Sequence, residues 1–370
     1  MAKRVGTFAD MQRIFYAFWI VVVIVGCGTN SFENRSGLTV IDSMKPLYAK
    51  GFEILTMSDS SYRILLFNLQ KAGDTLQVIN WKRPAVNRLA CLSTTHIAFI
   101  DQLNGVEKLK GTGFADLVKN KNTAAKIAKG EIINLSVAHD IDDEKVLSID
   151  PELFFVYPFG GTDYRKFLSK GIGCVQVSEY LETSPLGRAE WIKLFGALLG
   201  EEQMADSIFD TVKMRYESAM QLVKKSNVPK PTVFTGSYDN GNWFAPSGNS
   251  FAATLLKDAG AQYVFADSIT DGNLIVPFEQ LLFSVYNTDF WGKIMMAESE
   301  VTSQNFVGKD ERLTHLKSYS DGNLFYCNTQ QCDYHGDAVM EPDVMLKDLI
   351  KIFHHGLLPE HQSVYFIGLK

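Results

Sequence analysis

The chain has 370 residues, of which 46% are hydrophobic and 21% are charged. This composition suits a globular protein, and the length is enough for two domains of ordinary size with a large buried core. The formal net charge is −6, which argues against a nucleic-acid partner because phosphate neutralisation needs a basic face.

The first element is an apolar run over residues 14–26, which follows Lys3, Arg4 and Arg13 and stops at Cys27. The run is shorter than the roughly 20 residues that span a bilayer, and it suits the apolar region of an export signal. Residues 24–27 (Ile-Val-Gly-Cys) resemble the lipidation box of bacterial lipoproteins, although leucine is more usual at the first position.

We therefore predict a signal peptide over residues 1–26, a lipid on Cys27 and a flexible tether over residues 27–37. The alternative is a short membrane-anchoring helix with an incidental cysteine. In both cases we expect an exported protein that is anchored to a bacterial membrane, with its body in the periplasm or on the cell surface. Which membrane leaflet holds the lipid stays open.

Residues 38–81 show the pattern of hairpin-like strands, which we place at the edge of a first lobe. From residue 86 onward, short apolar strands alternate with helical stretches. The predicted strands cover residues 87–92, 108–111, 132–135, 153–157 and 174–177, and the helices cover 97–103, 142–149 and 164–168. This alternation predicts a parallel α/β domain, the N-terminal lobe over residues 38–185.

Residues 186–229 read as a helical segment in which Gly200 ends one helix and a long one follows. Apolar residues recur every three or four positions in the second helix, at Ala205, Phe209, Val212, Tyr216 and Met220. A helix over residues 202–225 would be roughly 36 Å long, enough to join two lobes. A single stiff connector of this kind predicts small closure motions.

The order of strand and helix recurs over residues 230–370, which predicts a C-terminal lobe. The predicted strands cover residues 232–235, 263–265, 290–295 and 324–327, and the helices cover 250–258, 278–286, 310–317 and 343–353. The predicted fold class is α/β, with two parallel-sheet Rossmann-like lobes joined by a single long helix.

Four cysteines follow Cys27 in a compartment that permits disulfides. Cys327 and Cys332 enclose four residues, so we predict a local disulfide between them, although other pairings stay open. Cys91 and Cys174 lie in predicted strands and are expected to be buried thiols.

Two glutamates hold similar places in the two lobes. Glu144 and Glu279 each open an amphipathic helix that precedes a strand. Helix capping alone is one explanation, since a carboxylate in the first turn gains about 0.3–1 kcal/mol from the helix dipole.

Five segments together resemble the helical-backbone (class III) periplasmic binding proteins, and the resemblance covers nearly everything from Val86 to the end. The segments are residues 88–96 (Arg-Leu-Ala-Cys-Leu-Ser-Thr-Thr-His), 150–156 (Asp-Pro-Glu-Leu-Phe-Phe-Val), 185–193, 198–202 and 343–349. Proteins of that family feed ABC importers of iron–siderophore, haem or cobalamin. The resemblance implies a monomeric substrate-binding lipoprotein without an intrinsic cofactor, which captures a metal chelate between two lobes and delivers it to the permease. It also implies that Glu144 and Glu279 dock on arginines of the two permease subunits.

The ligand cleft should lie beyond the carboxyl ends of the strands, where the loops are rich in aromatic residues. The candidate ligand-binding residues are Thr95, His96, Phe114, Phe159, Tyr180, Arg188, Tyr238, Trp243, Tyr334 and His335. His96 or His335 is a candidate axial ligand to haem iron or cobalt, or a hydrogen-bond donor, and Arg188 suits a siderophore carboxylate. The alternatives are packing within a lobe for His96 and the aromatics, surface exposure for His335 and helix capping for Arg188.

Motifs for catalysis are lacking, since the sequence has no Gly-x-Ser-x-Gly, His-Glu-x-x-His or Walker loop. We therefore predict a binding protein and not an enzyme. Two alternatives from other functional classes stay open: a surface-tethered enzyme that processes chelates, and a receptor or sensor without a transport role. The identity of the ligand among ferric siderophore, haem and cobalamin also stays open.

Overall fold

The computed structural model describes residues 38–82, 86–137, 140–158, 163–308 and 310–369. The predicted signal peptide, the tether, the lipidation site Cys27 and the candidate ligand residue Phe159 lie outside these ranges. All described residues belong to one compact unit, Leu38–Lys370. Within them, no helix is both long enough and apolar enough to cross a membrane.

An antiparallel sheet of four strands comes first and has the order β1-β2-β3-β4. The strands are β1 (Val40–Met44), β2 (Phe52–Met57), β3 (Tyr62–Phe67) and β4 (Thr75–Trp81). Residues alternate between buried and less buried along β3 because one face of this sheet packs on the core. The loop between β1 and β2 is fixed by Glu190, whose carboxylate accepts the backbone N–H groups of Leu47, Tyr48 and Ala49 at 3.0, 2.7 and 2.9 Å.

The first lobe is built on a parallel sheet of the order β11-β10-β5-β6-β7. Its strands, with the two-stranded hairpin β8–β9, are β5 (Leu89–Cys91), β6 (Leu109–Thr112), β7 (Ile133–Asn134), β8 (Ser136–Val137), β9 (Asp140–Ile141), β10 (Leu153–Val156) and β11 (Gly173–Gln176). The helices are α1 (Thr94–Gln102), α2 (Lys121–Ala128), α3 (Asp143–Ile149) and α4 (Arg165–Leu168), with 3-10 turns at Val106–Lys108 and Ala115–Leu117. All four residues of β10 are buried because the strand lies inside the sheet. Gln77 of β4 exchanges hydrogen bonds with the backbone of Cys174 and Gln176, so the antiparallel sheet lies at the β11 edge.

Helices connect the two parallel sheets. After a 3-10 turn at Glu179–Leu181, they are α5 (Pro185–Glu190), α6 (Ile192–Leu199) and α7 (Glu202–Ser226). Gly200 ends α6 with a φ of 77°, a left-handed conformation that costs glycine little. The predicted stripe of α7 is buried except for Met220, which is partly buried. This helix packs against α5, α6 and α12 (Pro342–Phe353). The hydrophobic core therefore runs without a break from one sheet, past α7, to the other.

The second lobe repeats the arrangement with a sheet of the order β15-β12-β17-β18-β19, parallel except for β19. The strands are β12 (Thr232–Thr235), β13 (Ser237–Asp239), β14 (Asn242–Ala245), β15 (Gln262–Tyr263), β16 (Leu274–Pro277), β17 (Phe290–Met295), β18 (Leu324–Asn328) and β19 (Ile367–Gly368). The helices before α12 are α8 (Phe251–Asp258), α9 (Phe278–Val285), α10 (Ser303–Val307) and α11 (Lys317–Ser320), with 3-10 turns at Glu311–His315 and Asp337–Met340.

The predicted fold class is confirmed: two sheets of parallel strands and one long helix make up the described chain. The exact lobe boundaries at residues 185 and 229 stay predictions. Two local predictions were wrong. Residues 310–317 form a 3-10 turn followed by the start of α11 and not one helix. Tyr238 and Trp243, which we predicted to lie in a loop at the cleft, belong to the β13–β14 hairpin of a small antiparallel sheet with β16.

Candidate functional site

A cavity of about 360 Å³ lies between the two lobes, at the carboxyl ends of their strands. Its size falls within the range of small-molecule sites, and its position is where open α/β sheets bind ligands. The polar and aromatic residues that line it are Ser93, Thr94, Thr95, Tyr157, Glu179, Tyr180, Arg188, Phe251, Tyr334 and His335.

Two larger depressions are less suited to a specific ligand. One, of about 710 Å³, is lined by α7 alone, and a surface formed by a single helix does not enclose a molecule. The other, of about 490 Å³, borders Pro231, Asp289 and Asn323, which precede strands β12, β17 and β18. It therefore lies at the amino edge of the sheet, opposite the edge where ligands bind.

Contacts across the cleft hold the lobes together beside the cavity. The Thr94 hydroxyl donates to the carbonyl of His335, and the Lys119 ammonium donates to the carbonyls of Thr329 and Gln330. The Asn120 amide also donates to Asp337 at 3.2 Å. The two lobes are therefore in a closed arrangement, in which side chains of the first lobe donate hydrogen bonds to residues that follow β18 in the second lobe.

Arg188 is the cation of the cavity. It lies on α5, which begins at Pro185 and is capped by the Ser184 hydroxyl. Its Nη2 donates to the Tyr180 carbonyl at 2.6 Å, and its guanidinium lies 4.0 Å from the centre of the Phe251 ring. Burial lowers the pKa of Arg188, and Nε has no hydrogen-bond partner among the described residues. The side chain is thus held on two sides while donor capacity remains for a ligand.

Glu179 is a cavity residue that the sequence analysis missed. It follows β11 and is only 2% exposed. The Thr95 hydroxyl donates to Oε1 at 2.5 Å, whereas Oε2 is unpartnered within the described chain and lies 3.9 Å from His96 Nε2. Its position after the carboxyl end of a strand is a feature from which the sequence could have predicted a cavity residue. A glutamate in a short polar loop is equally typical of a solvent-exposed residue.

His96 does not face the cavity, so the prediction of an axial ligand at this position does not agree with the structure. The imidazole is fully buried in the core of the first lobe, with ring centres 6.3 Å from Phe155 and 5.9 Å from Phe195. Burial lowers the pKa of His96, which favours the neutral ring. The rotation of α1 causes this, because Thr94 and Thr95 turn toward the cleft while the next residue turns toward the sheet.

Five of the predicted ligand residues do meet at the cavity: Thr95, Tyr180, Arg188, Tyr334 and His335. His335 is exposed there, and burial followed by the charge of Lys119 lowers the pKa of its imidazole. The lining is therefore made by both lobes, with Tyr334 and His335 from the second.

Three predicted ligand residues lie elsewhere. Trp243 is fully buried and donates from Nε1 to the Thr235 carbonyl at 3.1 Å, so it belongs to the core of the second lobe. Tyr238 sits on the hairpin with its ring 5.0 Å from that of Phe278, outside the cavity lining. Phe114 also lies outside it, in a turn where its backbone N–H donates to Ser136. The pairing of β13 with β14, which we did not predict from the sequence, places Tyr238 and Trp243 away from the cavity.

The predicted disulfide is not present. Cys327 and Cys332 are free thiols whose sulfur atoms lie 3.6 Å apart, whereas a disulfide bond is about 2.05 Å long. Cys91 and Cys174 are buried free thiols, as expected. No cluster of three or more metal-ligating side chains occurs in the described ranges.

The two glutamates predicted to dock lie in the first turns of α3 and α9. Both are exposed, but their surroundings differ. Glu279 Oε1 accepts from Arg312 Nη1 at 2.5 Å, and Asp310 holds the same guanidinium through Nε at 2.9 Å. Glu144 has no ion pair with any described residue.

Comparisons with known proteins agree on one family. The model for the family described as periplasmic binding protein matches residues 89–330. The uncharacterized lipoprotein MJ0878 of Methanocaldococcus jannaschii is 27% identical over 310 residues, which is 80% of this chain and 72% of the relative.

Two solved structures have a similar fold. The ABC-type Fe3+-hydroxamate transport system from Saccharomonospora viridis DSM 43017 has a TM-score of 0.59 at 15% identity, over 78% of this chain and 98% of the other. The periplasmic heme binding protein from Pseudomonas aeruginosa has a TM-score of 0.57 at 16% identity, over 75% and 95% of the two chains. At these identities the likeness extends to the fold alone.

Proposed function

The chain belongs to the periplasmic binding protein family, and from this premise we propose that it is the substrate-binding lipoprotein of an ABC importer. Members of the family bind substrates for transporters and are not enzymes, which counts against the chelate-processing alternative. In the proposed function, a metal chelate is captured between the lobes and handed to a membrane permease. The relative MJ0878 is itself named a lipoprotein, which supports an anchor at Cys27.

The observation that carries the proposal is the cavity between the lobes. It lies at the carboxyl ends of both sheets, and aromatic side chains of both lobes line it: Tyr157, Tyr180, Phe251 and Tyr334. Aromatic walls give a bulky ligand a rigid apolar surface, and Arg188 adds a single charged donor.

We propose a ferric siderophore as the ligand class. A similar structure is named for Fe3+-hydroxamate transport, and another is named for heme binding. A haem iron would need an axial ligand. Among the described lining residues, His335 is the one histidine that could supply it, because His96 is buried in the core.

The ligand can be identified by purifying the full chain from its own host and recording its native mass and absorbance. A ferric siderophore, haem and cobalamin differ in mass and in chromophore. We expect the mass and visible band of a ferric siderophore. A protein that carries no chelate and binds none on titration would contradict the proposed function.

Transport can be tested by reversing the charge of both glutamates, Glu144→Lys with Glu279→Lys. Because exposed charges steer docking and lie outside the cavity, we expect uptake to be lost while the ligand dissociation constant stays unchanged. A matched control reverses one exposed glutamate elsewhere on each lobe, Glu131→Lys with Glu360→Lys, and should keep uptake.

Two other outcomes are informative. A loss of ligand affinity in the Glu144→Lys, Glu279→Lys variant would place these residues in ligand binding and refute docking. Unimpaired uptake would favour a receptor or sensor that works without this contact.

A further inference from the structure

Two buried ionisable side chains of opposite charge line the same cavity, and each keeps an unsatisfied polar atom. Glu179 is 2% exposed, and its Oε2 accepts no hydrogen bond from a described residue and lies 3.9 Å from Nε2 of the buried His96. Arg188 lacks a hydrogen-bond partner at Nε. No ion pair within 4 Å joins the two in the part of the chain that the structure describes. The Glu179 carboxylate has a single hydrogen bond, from the Thr95 hydroxyl to Oε1. A buried carboxylate with so few donors is costly, so a donor on the ligand would stabilise it.

The charges around the cavity balance. Among the described lining residues, Arg188 supplies one positive charge and Glu179 supplies one negative charge. His335 adds none at neutral pH, because its pKa lies below the ordinary histidine value. A ligand therefore meets a site with no net charge and with both an acceptor and a donor.

The net charge of the ligand should therefore determine its affinity for this cavity. A trianionic ferric complex would bring three negative charges close to the buried Glu179 carboxylate, with only Arg188 to offset them. In a site of low dielectric, each such repulsion costs about tenfold or more in affinity. A neutral or cationic complex avoids the repulsion, and an ammonium or N–H group on the ligand can satisfy the carboxylate.

We propose that Glu179 is a specificity-determining residue, which selects neutral or cationic ferric chelates that carry a hydrogen-bond donor and rejects polyanionic ones. The inference rests on the proposed function, since it concerns the same cavity. It narrows the ligand class to chelates of the hydroxamate type and away from catecholates and from haem.

The test uses the full chain in detergent and three probes. Ferrioxamine B is a ferric trihydroxamate with a free ammonium group, its N-acetyl derivative is neutral, and ferric enterobactin is trianionic. Dissociation constants from calorimetry should favour ferrioxamine B over ferric enterobactin by at least about tenfold, with the acetylated complex between them.

The Glu179→Gln variant keeps an oxygen that can accept the Thr95 hydrogen bond and removes the charge. We expect it to reduce the preference for ferrioxamine B over ferric enterobactin by about tenfold or more. The control Glu360→Gln, at an exposed position outside the lining, should leave the ratio unchanged. Thermal unfolding verifies that both variants are folded.

The possible failures are distinguishable. An unchanged ratio in a folded Glu179→Gln variant, or tighter binding of ferric enterobactin by the wild type, would overturn the role of Glu179. Tight binding of haem, whose propionates are anionic, would also overturn it but leave the proposed transport function standing. If no ferric siderophore, haem or cobalamin binds, the proposed function itself is rejected.

Discussion

Lys293 is a partly buried base beside the core of the second lobe. It lies on β17 between the rings of Trp291 and Phe306, with Nζ 4.8 and 4.9 Å from the ring centres, and it donates to the Phe306 carbonyl. Burial lowers the pKa of Lys293 to about 8. The ammonium form is therefore disfavoured in the folded protein relative to the unfolded chain.

This shift predicts a pH-dependent stability. A lysine in the unfolded chain has a pKa near 10.4, so between about pH 8 and pH 10.4 the unfolded state binds more protons than the folded state. The Lys293 contribution to the free energy of unfolding therefore rises with pH across this window. We expect the stability of Lys293→Met relative to wild type to fall by about 2 kcal/mol from pH 7.5 to pH 10, as measured by urea denaturation.

The same substitution at Lys170, an exposed lysine of the first lobe, provides the control. Its stability difference from wild type should stay constant across the same pH range. A constant difference for Lys293→Met as well would show that the ammonium is not desolvated in the folded protein.

At the scale of elements, α3 and α9, the two helices that we propose to dock on the permease, have different surroundings. On α9, Glu279 is bound by Arg312, and the adjacent Phe283 is 89% exposed. On α3, Glu144 is exposed without a described ion partner, and Leu147 is exposed one turn later. Glu144 therefore presents an uncompensated negative charge. The charge of Glu279, beside an aromatic ring, is partly compensated by Arg312, which Asp310 shares.

This asymmetry predicts unequal effects of single substitutions on docking. Because an uncompensated charge steers association more strongly, Glu144→Gln should slow association with the permease about two- to threefold more than Glu279→Gln does. Surface plasmon resonance on permease in lipid nanodiscs would measure the rates, and the difference should shrink at high salt. Equal slowing by the two variants would show that Arg312 releases Glu279 before docking. In the background Arg312→Gln, the two glutamates should become equivalent.

At the scale of the whole molecule, side-chain hydrogen bonds hold α7 at its start and in its middle. Tyr62 of the antiparallel sheet donates to Glu202 at the start of α7, and Tyr216 in the middle of the helix donates to Asp258 of α8. The hydrophobic core is continuous along the same path. Large hinge motions need a few residues that can absorb changes in backbone angles, and a continuous helix of 25 residues supplies none along its length.

We therefore expect a small conformational change on ligand binding. Small-angle X-ray scattering of the full chain, without ligand and with the chelate that co-purifies, should show radii of gyration that differ by less than about 1 Å. A difference above about 2 Å would indicate a hinge outside α7, in the loops that precede or follow it. The Lys119 contacts with the loop after β18 would then have to break in the open form.

Local sequence patterns determined the elements of this protein. The strands Thr232–Thr235 and Phe290–Met295 were predicted with their observed bounds, and α7 differs from its prediction by one residue at its end. Apolar periodicity and terminal signals such as Gly200 depend on neighbours within a few positions, so they can be read from the sequence alone. The order of elements, occurring twice, was enough for the two-lobed α/β architecture.

Only the tertiary structure decided which side chains meet. His96 and Thr95 are neighbours in sequence, yet one lies in the core and the other in the cavity, because the rotation of α1 against the sheet separates them. Trp243 is predicted to lie in the cleft, but strand pairing places it in the core. Glu179 is buried and lines the cavity, which its short polar loop does not predict. The ion pair of Glu279 likewise needs Arg312, which lies 33 positions later in the chain. The burial of a side chain and its hydrogen-bond or ion-pair partners depend on contacts between residues that are distant in sequence. Local periodicity therefore does not predict them.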